Sequence, residues 1–479
     1  MKTNLILATD SYKFSHWVQM PTGTESAFFY VESRGGKYDE TVFFGLQYYI
    51  KEYLSKPITQ EDIEEAANFT KMHGVPFNRE GWEYILNAHK GFLPLRIRAV
   101  PEGTRVPTHN VLMTIESTDP KCYWLPSYME TLLLKVWYPT TIASRSYKIK
   151  QLILSALEKS SDDPKAEIGF KLHSFGYRGV SSEESAGIGG AAELISFLGS
   201  DTVMGIRFAN HYYNCDMAGF SIPAMEHSTV TSFGKDHEVE AYRNMLNHFA
   251  KPGSLVACVS DSYDLWHCIS QYWGKELKEQ VIKSGATVIV RPDSGNPPIV
   301  VLKTLQLLDE SYGHTVNSKG YKVLNYVRVI QGDGINEDSI KEILDVALTH
   351  GYSATNLAFG MGGGMLSDLT RDTNRFAMKC SSVRINGVEI DVSKNPITDP
   401  GKASKAGRLD LVKKMQSSGV AVQGPGYTPE LPKMCYSTEV LPDGAISHPY
   451  YDTAMNTVYY NGKIMDETFE TIRSRAAIR

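Results

Sequence analysis

Long apolar stretches are missing. No run of about 20 apolar residues occurs in the 479-residue chain, so no membrane span is expected. Cysteine is scarce: Cys122, Cys215, Cys258, Cys268, Cys380 and Cys435 include no CxxC pair. That argues against a disulfide framework or a structural zinc, and for a reducing compartment. HExxH and other zinc spacings are absent, so no zinc is expected. An excess of one charge is lacking too, with 49 Lys+Arg against 54 Asp+Glu and a formal charge of -5. A nucleic-acid or membrane surface is therefore not advertised, whereas a phosphate site needs only a few local cations. There is no fixed-period repeat and no low-complexity tract. The apolar run Leu5–Ala8 is cut by Thr9 and Asp10, too short for a signal peptide, and a soluble cytoplasmic protein is the expectation.

What is present is ordinary for a globular chain, at 42% hydrophobic and 22% charged residues. The length suits two or three domains, one of which can be a barrel of about 250 residues. Over residues 1–150 the pattern is mixed. Ser26–Glu32 reads as a strand, Thr59–Met72 as a helix opened by a Thr59/Asp62 capping box, and Leu95–Val100 as a half-buried strand. Tyr128–Trp137 and Ser144–Leu157 read as helices.

From about 165 to 370, short apolar runs recur, each ending in a polar or glycine-rich cluster. They are Ile168–Leu172, Leu194–Leu198, Phe220–Met225, Leu255–Val259, Thr287–Val290, Val327–Ile330 and Asn356–Phe359. Glu276–Lys283, Ile299–Leu308 and Ser339–His350 give the later units room for helices. This is the βα rhythm of a parallel sheet. Polar residues follow all seven runs, which favours an irregular (β/α) barrel over a doubly wound sheet, because an open sheet concentrates its site at one switch point. The expected division is 1–150 and 381–479 together forming a second mixed, β-rich domain, with 151–380 as the barrel. Turns are expected at Pro396, Pro400-Gly401 and Gly424-Pro425-Gly426.

The clusters carry chemistry. Gly360-Met361-Gly362-Gly363-Gly364 lets backbone N–H groups approach an anion, although a tight turn also fits; no GK[ST] follows, so it is not a Walker A loop. Arg291 and Asp293 of RPDSGNP suit phosphate and sugar hydroxyls, or a buried ion pair. Asp261, Asp264, Asp293 and Asp333 together could face magnesium or a ribose, and one of the SDSYD carboxylates could instead cap a helix. Glu226-His227 could shuttle a proton or act as nucleophile, though a lone histidine is more often structural. Phe175, Tyr177 and Arg178 offer aromatic faces and a cation to a flat heteroaromatic ligand. Lys394, Lys402, Lys405 and Arg408 read as solvated surface cations.

Taken in order, ATDSYK, FGLQYYI, LHSFGYRGVSS, SIPAMEHST, VSDSYD, RPDSGNP, VIQGDG, FGMGGG, TRD and SKAGR resemble the nicotinamide phosphoribosyltransferase family over nearly the whole chain. The resemblance implies an irregular barrel with a flanking β-rich domain, and a homodimer with shared active sites. It implies transfer of phosphoribose from phosphoribosyl pyrophosphate to nicotinamide, giving nicotinamide mononucleotide and pyrophosphate in NAD salvage. Magnesium, held mainly through pyrophosphate and water, and ATP as activating co-substrate come with it. By the same resemblance Phe175 and the partner's Tyr12 sandwich the pyridine ring, Asp201 accepts from the carboxamide, and Arg178 and Ser221 line the pocket. Asp264, Asp293, Gly332, Asp333 and Arg291 hold the ribose and 5′-phosphate, with Gly362 and Gly363 at the phosphate. Arg34, Arg371, Lys379 and Lys394 hold pyrophosphate, and His227 is the phosphorylated histidine. Ser174 departs from the family's pattern, where an aspartate is expected, and the loop at Gly35-Gly36 looks short.

The residue types suit the reaction. Displacement at the anomeric carbon needs positioning, stabilisation of a cationic ribose and a neutralised leaving group, but no strong base. Other readings are a nicotinate phosphoribosyltransferase, against which a carboxylate at Asp201 argues, a phosphosugar aldolase or isomerase, for which no strand-end Schiff-base lysine is seen, and a non-catalytic nucleotide-binding protein of this fold.

Overall fold

The computed structural model describes residues 4–414, 434–437 and 451–478. The expected turn at Gly424-Pro425-Gly426 lies outside them. Two compact units are present. One comprises Arg145–His211 and Cys215–Asp368, and the other Met1–Ser144, Tyr212–Asn214 and Leu369–Arg479.

The first unit is built on a six-stranded parallel sheet. Its order is Gly199–Ser200, Leu172–Ser174, Leu357–Met361, Val327–Gln331, Thr287–Arg291 and Leu255–Val259. Such strands are covered on both faces, which is why they read as apolar runs. Val256, Cys258, Val288, Val290, Val329 and Phe359 are fully buried, each apolar side chain contributing about 1.5–3 kcal/mol. The two edge strands are linked through the segment 220–224 by single parallel bridges, Gly199 to Phe220 and Ala224 to Ala257, which close the sheet into an irregular barrel.

That closure corrects three expected strands. Phe220–Met225 forms only those two bridges. Leu194–Leu198 lies between a helix end and the two-residue strand Gly199–Ser200. The run at 168 starts with a 3-10 turn, Ile168–Phe170, before the strand Leu172–Ser174. The physical reason is shared: an apolar run records burial, and buried turns and helix ends are as apolar as strands. Helices at Pro297–Tyr312 and Glu337–Thr349 cover two of the three expected helical segments. In the third, a π-helical stretch, Cys268–Glu276, precedes Lys278–Ser284.

The second unit joins both chain ends in one antiparallel sheet. Its order is Val388–Asp391, Phe376–Ile385, Thr24–Ser33, Val111–Ser117, Leu95–Ala99, Asn456–Tyr460 and Lys463–Ile464. Register is fixed by pairs such as Tyr30 with Lys379 and Glu32 with Ala377. The helix Gln60–His73 carries the Thr59/Asp62 capping box and ends at Gly74. The segment 125–137 is broken into short turns, Leu125–Tyr128, Glu130–Leu133 and Leu134–Val136, before the long helix Trp137–Ser160. No helix of the described residues is long and apolar enough to cross a membrane.

Candidate active site

Four barrel strands end around one aromatic ring. Phe175 follows the strand Leu172–Ser174, and its N–H donates to the Met361 carbonyl at 2.9 Å. Its ring lies over Gly360, where a Cβ would come within 1.9 Å of it, so only glycine lets strand and ring pack this closely. A Cβ on Gly332 would stand 3.0 Å from Asp293 Oδ1 and 3.6 Å from both Arg291 Nε and the Phe175 ring. Arg291 holds Asp293 Oδ2 through Nη2 at 2.9 Å and places its guanidinium 5.9 Å from the Phe175 ring centre. Its Nε is buried with no partner. A buried donor without an acceptor is costly, and a bound phosphate would supply one.

Beside this lies a second group. His227 starts the short helix His227–Thr231; its Nδ1 is 3.1 Å from Ser262 Oγ, and its Nε2 is 3.4 Å from Asp293 Oδ2 and 3.8 Å from Asp261 Oδ1. Asp261 is the less expected member. Its side chain is 4% exposed; Oδ2 accepts from the Asp293 N–H at 3.0 Å and from Ser294 Oγ, while the buried Oδ1 accepts no hydrogen bond and has only the His227 ring near it. Asp264, by contrast, caps the helix Leu265–His267, accepting from the N–H groups of Trp266 and His267 at 3.0 Å each. The Asp333 carboxylate is exposed at the next strand end.

A cleft of about 850 Å³ is lined by Phe175, Arg178, Asp201, Glu226 and Arg291, among others. Asp201 is exposed and accepts a hydrogen bond from Ser221 Oγ. Among the described residues its carboxylate accepts no hydrogen bond from the following helix, Val203–Tyr213; the Val203 N–H goes to the Asp201 main-chain carbonyl at 3.0 Å. Below it Ser174 accepts the Asp201 N–H on its carbonyl at 3.0 Å and pairs its hydroxyl with Thr202 Oγ1 at 2.9 Å. So the serine that replaces the expected aspartate braces the Asp201 turn.

The glycine loop runs into the short helix Gly363–Leu366. Arg145, only 2% exposed, donates to the carbonyls of Gly364 and, at 2.7 Å, of Asp368. Nothing near Arg145 in sequence marks this role.

The other unit holds a cation cluster. Lys379 is pushed below the usual lysine range, chiefly by burial, with Arg34, Lys394 and Arg371 adding to the shift and Glu130 opposing it. Cations near enough to one another to shift a lysine in this way favour a polyanion. Arg34 is bound through Nε to the buried Glu32 at 3.0 Å. Tyr12 is 58% exposed, while the next residue, Lys13, is buried and paired with Glu130.

Two groups have metal-compatible donors. Asp261 and Asp293 offer hard carboxylate oxygens next to His227, of the kind magnesium takes. His89, Asp119 and Cys122 also lie close enough together to share an ion. There, however, Asp119 already accepts from Tyr84 and Lys121, and burial pushes the Cys122 thiol up to about 12.

Residues 170–424 match the nicotinate phosphoribosyltransferase (NAPRTase) family, and residues 4–97 match the nicotinamide phosphoribosyltransferase N-terminal domain. A nicotinamide phosphoribosyltransferase of Xanthomonas campestris pv. campestris (strain 8004) is 54% identical over 474 residues, 99% of this chain and 98% of that protein. One of Acinetobacter baylyi (strain ATCC 33305 / BD413 / ADP1) is 30% identical, covering 99% of this chain and 97% of its own. Among solved structures, nicotinate-nucleotide pyrophosphorylase from Pyrococcus furiosus superposes with a TM-score of 0.59 at 16% identity, covering 99% of this chain and 95% of that one. Human nicotinic acid phosphoribosyltransferase gives 0.55 at 13% identity, covering 98% and 93%. These two likenesses show a shared fold.

Proposed function

From the premise that the chain belongs to the nicotinamide phosphoribosyltransferase family, enzymes of phosphoribosyl transfer in NAD salvage, we propose how its own residues divide the work. The observation that carries the proposal is the meeting of Phe175, Arg291, Asp293, Asp261 and His227 at the C-terminal ends of the barrel strands. Phe175 stacks on the pyridine ring of nicotinamide. Asp201, steadied by Ser221, accepts from the carboxamide N–H, and Arg178 lines the same cleft. Arg291, with its free Nε, and the backbone at Gly332, Gly362 and Gly363 take the 5′-phosphate.

Asp293 and Asp261 face the ribose, where their charge stabilises the oxocarbenium-like transition state. Asp333 stands at the same strand ends. Asp264 caps the helix Leu265–His267 through Oδ1, which leaves Oδ2 for the ribose, and Asp261 joins it there. The pyridine nitrogen needs no base, since its lone pair is already free. The carboxylate oxygens of Asp261 and Asp293 could hold magnesium, which would supply charge to neutralise the leaving group. Arg34, Arg371, Lys379 and Lys394 take pyrophosphate. The exposed Tyr12 is suited to covering a partner's pyridine site, which makes the working unit a homodimer. ATP acts through phosphorylation of His227. Five described cysteines are free, in keeping with a cytoplasmic setting.

The test is direct. Protein incubated with nicotinamide, phosphoribosyl pyrophosphate and magnesium should yield the mononucleotide by mass, and Asp293→Asn should lose it. Product formed only from nicotinate would favour the second reading, which lacks support from Asp201. Mixing Tyr12→Ala with Asp293→Ala protein should recover activity through hybrid dimers; failure to recover any would remove Tyr12 from a shared site.

A further inference from the structure

Lys405 reads in the sequence as a solvated surface lysine, and Glu32 as one polar residue of a strand. In the fold they meet, although 373 positions apart, and the Lys405 ammonium pairs with Glu32 Oε2. Glu32 is 2% exposed. A carboxylate buried this deeply is retained only where cations compensate it. It has two. Its Oε1 accepts from Arg34 Nε at 3.0 Å, and its Oε2 faces Lys405. Tyr30, two residues back on the same strand face, donates to Oε1 at 3.4 Å, and its own oxygen accepts the Lys405 N–H at 2.8 Å. Opposite Tyr30 in the sheet stands Lys379, a member of the cation cluster.

The geometry of Arg34 says what this arrangement is for. Its side chain is 10% exposed. Glu32 takes the Nε–H, and the Tyr30 hydroxyl stands beside the same guanidinium. Nη1 makes one long contact with the Lys402 carbonyl at 3.4 Å, and Nη2 is buried with no partner. With Nε held and the more exposed Nη1 making only that long contact, the guanidinium is fixed in direction and can still take an acceptor that arrives from outside. We propose that Glu32 is a positioning residue of the pyrophosphate-binding cluster: it orients Arg34 and anchors Lys405, so that the cations stand assembled before the anion binds. This rests on the assignment of Arg34, Arg371, Lys379 and Lys394 to pyrophosphate. It adds a residue that never touches the substrate, and it explains why a site for a polyanion contains a buried carboxylate. Without Glu32 the cations repel one another and the guanidinium is free to rotate. The energy of reassembly would then be taken from ligand binding.

The experiment uses full-length protein and inorganic pyrophosphate, titrated calorimetrically, alongside steady-state kinetics. Arg34→Ala should weaken pyrophosphate binding clearly; equal binding by this variant and wild type would overturn both the cluster assignment and the role of Glu32. Given that loss, Glu32→Gln should weaken pyrophosphate and raise KM for phosphoribosyl pyrophosphate by about tenfold, the scale of one hydrogen bond to a charged group, with a much smaller change in kcat. Glu32→Gln combined with Arg34→Ala should be little worse than Arg34→Ala alone, because Glu32 acts through Arg34. Wild-type affinity in Glu32→Gln, or fully additive losses in the double variant, would overturn the proposal. Should Glu32→Gln fail to fold, Arg34→Lys decides. It keeps the charge but loses the clamped fork, so binding close to that of Arg34→Ala is expected, and retained wild-type affinity would refute orientation as the cause.

Discussion

Changing Asp201 to asparagine should shift the choice between nicotinamide and nicotinate. Ionised, the carboxylate only accepts hydrogen bonds. Ser221 Oγ already donates to Oδ1, which leaves Oδ2 for the N–H of a carboxamide. The carboxylate of nicotinate has no hydrogen to offer there and meets like charge instead. A hydrogen bond to a charged group contributes about 1.5–3 kcal/mol, and because Asp201 is exposed in the open cleft, the lower end applies, or roughly tenfold in kcat/KM for nicotinamide. Asparagine keeps the shape and lets Ser221 donate to its oxygen, so the amide NH₂ points where a carboxylate can accept. Relief of the repulsion at an exposed site adds about 1 kcal/mol in favour of nicotinate. The ratio of the two kcat/KM values should therefore move towards nicotinate by about 10- to 50-fold.

The assay is both substrates on one preparation, at saturating phosphoribosyl pyrophosphate, with thermal unfolding run in parallel. Ser221→Ala, which removes the brace but not the charge, should lower nicotinamide use while leaving nicotinate poor. An unchanged ratio in Asp201→Asn, with only stability altered, would refute the reasoning and make Asp201 a structural residue of its turn.

Other outcomes follow from single contacts. Gly360→Ala brings a methyl group to within 1.9 Å of the Phe175 ring, so the ring must move; KM for nicotinamide should rise at least about tenfold and stability fall by about 1–3 kcal/mol, read by kinetics and by denaturant unfolding. His227→Ala should abolish ATP hydrolysis and ATP stimulation while some transfer persists, and undiminished hydrolysis would remove His227 as acceptor. Glu102 is buried and its carboxyl is pushed up to about 7, chiefly by desolvation, against an unfolded value near 4.5. Its contribution to stability is therefore full below about 4.5 and is lost as pH rises towards and through 7, by about 3 kcal/mol in all; melting scans should show Tm falling over that window in wild type and less in Glu102→Gln.

The parts of this protein that were legible in sequence are those where local physics and function coincide. The strands Leu255–Val259, Thr287–Arg291, Val327–Gln331 and Leu357–Met361 are covered on both faces, so each shows as an apolar run followed by its polar strand end. The capping box at Thr59 and Asp62 is local by construction. Phe220–Met225 misled because a stretch that closes a barrel through two isolated bridges is buried like a strand without the ladder of one. Asp264 and Asp261 show a different limit. Both are aspartates of one SDSYD motif, and only the backbone N–H groups of Trp266 and His267 reveal that the first serves a helix while the second keeps a buried oxygen beside His227 that accepts no hydrogen bond. The Glu32–Lys405 pair is more remote still, since it exists only because both chain ends enter one sheet. The residues proposed to meet the substrate sit in compact motifs because the strand ends impose a short spacing. Residues that hold those side chains in place answer to no spacing, so the supporting half of such a site becomes readable only in the folded chain.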